Sequence, residues 1–382
     1  MDTFDAVVIG LGAHGSAAAL ALARRGLRVA GVERFGRAHG MASSGGRTRI
    51  IRMAYFEGPA YVPLVREAWD RWQALEAESG VSILTQTGGI YGGLAGSSVL
   101  EGSIRSAREH GLPHEVIDGD EVRRRWPVFA PPEGTRALIE AQAGVLRSDI
   151  AIEAQLTIAE RHGATFRFDD TVVDWRPSDG GGYEVRTASG VAFGAEHLVI
   201  ASGAWTAELV PDLRLPLVIE RVPLLWTEPV VPAADVAVGR LPVWIMETNF
   251  DGSFYGFPYD PEAGLKVARH HSEGSVAVGD LDGLDRTLTA ADEARVRRFL
   301  RTQMPGADGP LRGSAVCLYT DTPDEDFVLD TYPGAPGVAI ASACSGHGFK
   351  FSPVIGEILA DLSLDGATRH PIDPFRLARF AA

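Results

Sequence analysis

Gly10-Leu-Gly12-Ala-His-Gly15 stands between the apolar run Asp5–Ile9 and an Ala/Leu-rich stretch from Ser16 to Gly26. In that setting Gly10 allows a tight turn, Gly12 lets the backbone approach a pyrophosphate, and Gly15 lets helix and strand pack closely. The N-terminus of the helix then faces the anion. A second apolar strand, Leu27 to Val32, ends at Glu33, an acid placed to accept hydrogen bonds from an adenosine ribose. A βαβ unit of this kind demands a parallel sheet covered by helices. The expected class is therefore α/β with a Rossmann-like nucleotide-binding unit.

The fingerprint alone leaves NAD and FAD open. Leu198-Val-Ile-Ala-Ser-Gly203-Ala-Trp205 is a second apolar strand ending in a small-residue turn, a form of return to the cofactor used by two-domain flavoproteins. Periodicity predicts helices near 59–79, 98–111, 149–163 and 289–303, and a last one following the turn Ser345-Gly-His-Gly348. Residues 40–52 read as a Gly/Ser-rich loop, and residues 215–260 as strands broken by proline. Nucleotide-binding elements thus sit at both ends and in the middle of the chain. This order predicts interleaving: residues 1–84, 148–218 and 322–382 as the cofactor-binding domain, and 85–147 and 219–321 as a β-rich α+β substrate domain.

The chain carries a net charge of −14, which argues against binding a phosphate backbone. Arg123-Arg-Arg125 reads as a solvated face in this acidic setting. Two cysteines, Cys317 and Cys344, make no disulfide framework and fit a reducing compartment. The first residues lack a basic region ahead of an apolar one, and no apolar run is long enough to span a bilayer. A cytoplasmic location without membrane or nucleic-acid partners is expected. No set of His, Cys, Asp and Glu has metal-ligand spacing. Of 36 lysines and arginines only Lys266 and Lys350 are lysine. Each is either a chance survivor of an arginine bias or a site that needs a compact ammonium.

Several motifs occur together in order: Thr48-Arg-Ile-Ile-Arg52, Tyr255-Gly-Phe-Pro258, Gly264-Leu-Lys266, Cys317-Leu-Tyr-Thr320, Thr322-Pro-Asp324 and Ser345-Gly-His-Gly-Phe-Lys350. With these the chain resembles the monomeric sarcosine oxidase family, which includes N-methyltryptophan oxidase and pipecolate oxidase. The resemblance runs through nearly the whole chain and implies a two-domain flavoprotein of the glutathione-reductase or DAO type, usually monomeric.

It implies FAD bonded at its 8α-methyl to Cys317, with Gly10, Gly12, Gly15, Glu33, Ser43, Val173, Gly203, Gly346 and Gly348 holding the cofactor. Arg49 would lie against the ring. Lys266 would promote the reaction with oxygen as a fixed positive charge. Arg52 and Lys350 would clamp a substrate carboxylate. His270 and Tyr255 match polar residues of the family cavity; His271 is expected to be exposed, and Cys344 to be core.

The implied reaction oxidises a secondary, N-methylated amino acid to an imine, with oxygen reduced to hydrogen peroxide. A dehydrogenase passing electrons to a carrier is the competing enzyme, and Lys266 argues against it. Departures from the family pattern fall at Ser44, Gly45, Arg47, Met53 and Arg269, near substrate or cofactor. They bear on the substrate more than on the chemistry.

Overall fold

The computed structural model describes residues 1–271 and 280–380. Five strands, Thr165–Arg167, Val29–Val32, Asp2–Ile9, Ala192–Ile200 and Val338–Ser342, lie side by side and parallel. Val7 and Val8 are fully buried, as parallel strands covered on both faces require. On one face, helix Ala13–Arg24 packs against helix Ser352–Asp365. The contact depends on Gly356, since a Cβ there would lie 2.5 Å from the Ala17 backbone. Antiparallel strands Val172–Pro177, Tyr183–Thr187 and Val328–Thr331 extend this sheet to eight.

The register sets the location of the site. Ile9 pairs with Val32 and with Ile200, and Ile200 with Ile340. Four strands therefore end at one edge. Gly10–Gly12, Glu33, Ala201–Gly203 and the turn after Ser342 all leave the sheet there, at the carboxyl ends where α/β sheets bind ligands.

A second eight-stranded sheet runs in the order Leu311–Asp321, Val218–Thr227, Leu265–His270, Ser253–Gly256, Val243–Glu247, Gly89–Gly93, Arg136–Glu140, Glu115–Asp118. Alternation assigns its faces. Trp244, Phe254, Leu265 and Val267 pack with Phe299 and Leu300 of helix Ala290–Gln303. Their neighbours Ile245, Tyr255, Lys266 and His270 take the opposite face, as do Cys317 and Tyr319.

One segment differs from expectation. Thr48–Arg52, placed in a loop, is a strand paired with Ala143–Arg147, which also pairs with Leu84–Gln86. Residues 143–147 thus belong to a separate three-stranded sheet. Five residues after a glycine-rich loop show no period of their own; a partner almost a hundred residues away supplies the pairing. Arg123–Arg125 close a helix, Gly119–Arg125, and pair with Asp120, Glu121 and Glu115.

Candidate active site

The parallel edge and the second sheet enclose one continuous cavity of about 1570 Å³, its mouth included. Its first part is the glycine turn. Gly10 has φ +87°, and a Cβ there would lie 2.7 Å from the Ala201 carbonyl oxygen. Gly15 does not line the cavity; a Cβ on it would strike the Gly10 carbonyl at 1.7 Å, so its part is helix packing. Gly12 and Gly203 do line it, with no atom nearer than 3.8 Å to a Cβ on Gly12 and none within 4 Å on Gly203. Glu33 is buried beside them, its carboxylate accepting from Leu11 N at 2.8 Å and Phe35 N at 3.0 Å. These bonds fix the acid at the cavity wall and leave it lone pairs for a hydroxyl.

Val173 is 59 % exposed, while its neighbours Thr171 and Val172 line the cavity. With Val172 facing inward, strand alternation turns the Val173 side chain outward.

At the other end stands Cys317, 3 % exposed, its sulfur 3.2 Å from the Ser43 carbonyl oxygen. Arg49 donates to that sulfur at 3.3 Å, to Thr48 O at 2.7 Å and to the Ser43 and Gly45 carbonyls. The turn Ser345–Gly348 closes this end. Ser345 and Gly346 both take positive φ, 37° and 71°. A Cβ on Gly348 would lie 1.7 Å from the Ala343 carbonyl oxygen. Glycine at 346 and 348 is thus set by the backbone path.

Lys350, Arg52, Tyr255 and His270 share this end. The Lys350 ammonium donates to His347 O at 2.6 Å and Tyr55 Oη at 3.2 Å. Burial, with the Arg52 guanidinium nearby, lowers its pKa to about 7. Burial, His271 and His347 drive His270 well below its usual value, so it is neutral; its Nδ1 lies 3.3 Å from Tyr319 Oη. Burial pushes Tyr255 up to about 12, keeping its hydroxyl protonated.

Lys266 is buried on the cavity face of its strand but does not line the cavity. Its ammonium donates to Gly46 O at 2.8 Å and Thr48 O at 2.9 Å, beneath the loop that carries Arg49. Burial and the Arg49 charge lower its pKa strongly. His271 is half-buried rather than exposed, with 23 % of its side chain accessible. Cys344 packs against the core cluster around Cys317, as expected, and also lines the cavity.

Three further residues matter here and were not singled out from sequence. Glu57 lies in the cavity wall and forms a two-oxygen pair with the Arg52 guanidinium, both side chains at most 10 % exposed. Burial pushes Glu57 up, but Arg52, with His347 and Lys350 behind it, holds the carboxyl below its usual value. Glu140 accepts from Met53 N and Ala54 N, each at 2.9 Å, and from Tyr91 Oη at 2.8 Å. It pins the backbone that follows Arg52, and burial raises its pKa to about 7. His14 sits inside the glycine fingerprint, its Nε2 2.7 Å from Ala343 O. Its place in that motif was a visible signal; Glu57 and Glu140 had none among 50 acidic residues.

The donor set fits a flavin dinucleotide. One cavity joins the nucleotide-type cradle at Gly10–Gly12 and Glu33 to the cysteine and the cationic end. Among the described residues, His14 Nδ1, Ser43 Oγ, Trp205 Nε1 and Ser342 Oγ are buried without a hydrogen-bond partner, and all four residues line it. Buried polar atoms of this kind call for a ligand.

Comparison with known proteins agrees with this geometry. The chain is 40% identical to a monomeric sarcosine oxidase of Streptomyces avermitilis, over 98% of each chain. It is 34% identical to an N-methyl-L-tryptophan oxidase of Salmonella agona, over 99% of each. Among solved structures, the open form of NikD, an amino acid oxidase of nikkomycin biosynthesis, superposes with a TM-score of 0.87 at 23% identity, covering 98% of both chains. An L-proline dehydrogenase from P. horikoshii does so with a TM-score of 0.83 at 22% identity, covering 100% of this chain and 98% of the other. Residues 5–362 match the FAD dependent oxidoreductase family, DAO, and the chain belongs to that family, among its flavin amine oxidases.

Proposed function

We propose that this protein oxidises a secondary, N-methylated amino acid to an imine and reduces oxygen to hydrogen peroxide. The observation that carries this is the placement of Arg52 and Lys350 at one end of the cavity that begins at Gly10 and Glu33. FAD held by Gly10, Gly12, Glu33, Ser43, Gly203, Gly346 and Gly348 would supply the two-electron acceptor.

The residues then divide the work. Arg52 and Lys350 grip the carboxylate, the guanidinium by a two-point contact and the ammonium as a point charge. Neutral His270 and protonated Tyr255 offer no strong base, so the amine is to bind deprotonated. Tyr255, Ile245 and His270 shape the space around the nitrogen substituent. Lys266 acts on the oxygen side: the Gly46 and Thr48 carbonyls hold its ammonium there against the burial that lowers its pKa, and its place behind the cavity lining suits an electrostatic part better than contact. Cys317 is the attachment point for the cofactor; its buried sulfur in the cavity wall supports this reading. The named relatives support the substrate class, one acting on sarcosine and one on N-methyl-L-tryptophan by name.

We further read the protein as a cytoplasmic monomer. Both cysteines are free, and among the described residues no helix is long and apolar enough to cross a membrane.

The test is anaerobic mixing of the holoenzyme with sarcosine, N-methyltryptophan, pipecolate and proline. Loss of the visible flavin absorbance with at least one N-methyl amino acid is expected. No loss with any secondary amine would overturn the substrate class.

A further inference from the structure

A second polar cluster lies on the cavity face of the second sheet, at the strand ends and outside the cavity lining. Glu220 on strand Val218–Thr227, Asp321 at the end of Leu311–Asp321, and His271 just past Leu265–His270 each bring one ligand atom within 4.8 Å of the others. Glu220 is opposite Tyr319, and Val218 opposite Asp321, so Glu220 and Asp321 are diagonal neighbours on one face. The His271 Nδ1 is 3.8 Å from one Glu220 oxygen, and its Nε2 is 3.9 Å from Glu325.

These groups satisfy one another poorly. Glu220 is only 3 % exposed, yet its Oε1 has no hydrogen-bond partner among the described residues. The same holds for His271 Nε2 and Asp321 Oδ1. His271 also adopts φ +48°, a left-handed backbone that a histidine rarely takes and that needs support from its surroundings. A buried and a half-buried carboxylate beside a half-satisfied imidazole form a costly arrangement without a cation between them.

We propose that Glu220, His271 and Asp321 bind a divalent transition-metal ion of the zinc class, which ties together the ends of three strands. The donor set is suitable: carboxylate oxygens and an imidazole nitrogen are zinc ligands, whereas calcium and magnesium take oxygen alone. Tetrahedral ligands at about 2.0–2.1 Å lie about 3.3 Å apart, so the cluster closes by small side-chain rotations. Exposed Glu325, with 57 % of its side chain accessible, marks the open side of the cluster and is placed to supply a fourth ligand or a bound water. The ion would also hold His271 against the site, since its ring centroid is 4.3 Å from that of His270.

Equilibrium dialysis of chelator-treated holoenzyme against micromolar zinc, with metal counted per chain by mass spectrometry, tests this. One zinc per chain is expected for the wild type, together with a rise in melting temperature over the chelator-treated enzyme. His271→Gln, Asp321→Asn and Glu220→Gln should each lower the bound zinc at least tenfold and abolish the melting shift, with an unchanged flavin spectrum reporting that the fold is kept. Should one variant fail to fold, the other two decide. Absence of saturable zinc in the wild type, or the same stoichiometry in the folded variants, would overturn the proposal.

Discussion

Arg52→Gln separates the structural part of the cationic end from its binding part. Arg52 is 2 % exposed; its guanidinium lies 4.2 Å from the Tyr55 ring centroid and 4.3 Å from that of Phe56, and bridges both Glu57 oxygens. Removing one member of a buried pair costs about 3–5 kcal/mol, because the other is left charged and unpaired. Lys350 stands near enough to compensate Glu57 in part, which favours the lower end. At roughly 2 °C per kcal/mol for a chain of this size, the melting temperature should fall by about 6 °C at pH 8.

The pH dependence has a definite sign. Glu57 is held low in the wild type, so its contribution is present above the unfolded carboxyl value and lost as pH falls. Without Arg52, burial pushes Glu57 up against only what Lys350 and His347 still supply, and the deficit is to shrink as pH drops toward the unfolded value. Adding Glu57→Gln removes the orphan charge and should restore at least half of the lost stability. Activity should follow a different pattern. Two charge-assisted bonds to a substrate carboxylate are worth roughly 3–6 kcal/mol together, so kcat/KM is to fall on the order of 10²–10⁴-fold. That loss should persist in the double variant. Thermal melts at pH 5 and pH 8 with steady-state kinetics on the wild type, the single variant and the double variant give the answer. A double variant no more stable than the single one, or one that regains kcat/KM, would refute the reasoning.

Three further outcomes follow from the same geometry. Lys266→Met should slow the half-reaction with oxygen at least tenfold and leave anaerobic reduction by substrate within about twofold, measured by stopped flow; equal effects on both would contradict an oxygen-side role. Cys317→Ser should release all yellow chromophore into the supernatant on acid precipitation, whereas the wild-type pellet stays yellow; a colourless wild-type pellet removes the covalent attachment. Glu140→Gln should gain on the wild type as pH rises from 4.5 to about 7, because buried Glu140 keeps its proton in that window while the unfolded chain loses it. The change is about 3 kcal/mol, and a gap independent of pH between 4 and 8 would show that Glu140 does not titrate there.

Much of the fold was legible because its determinants are local. The Gly10–Gly15 turn, the acid at the end of the second strand and the glycines around His347 each impose a backbone path that few other residues allow. What stayed hidden depends on partners far along the chain. Strand Thr48–Arg52 exists through Ala143–Arg147. Glu140 gains its part by meeting the backbone of Met53 and Ala54, and a single acid carries no local mark of that. Which of Val172 and Val173 faces the cavity follows from how that strand sits in the sheet, and neither residue announces it. Lys266 was found by scarcity and motif, but its seat behind the Gly46–Thr48 carbonyls follows only from the sheet register.

The central claim is that this protein couples oxidation of an N-methylated amino acid to reduction of oxygen. Peroxide formed per substrate consumed in air-saturated buffer tests it most directly, with sarcosine or N-methyltryptophan as substrate. One peroxide is expected for each substrate oxidised. Substrate consumed with peroxide near zero would contradict it and point to an electron carrier in place of oxygen.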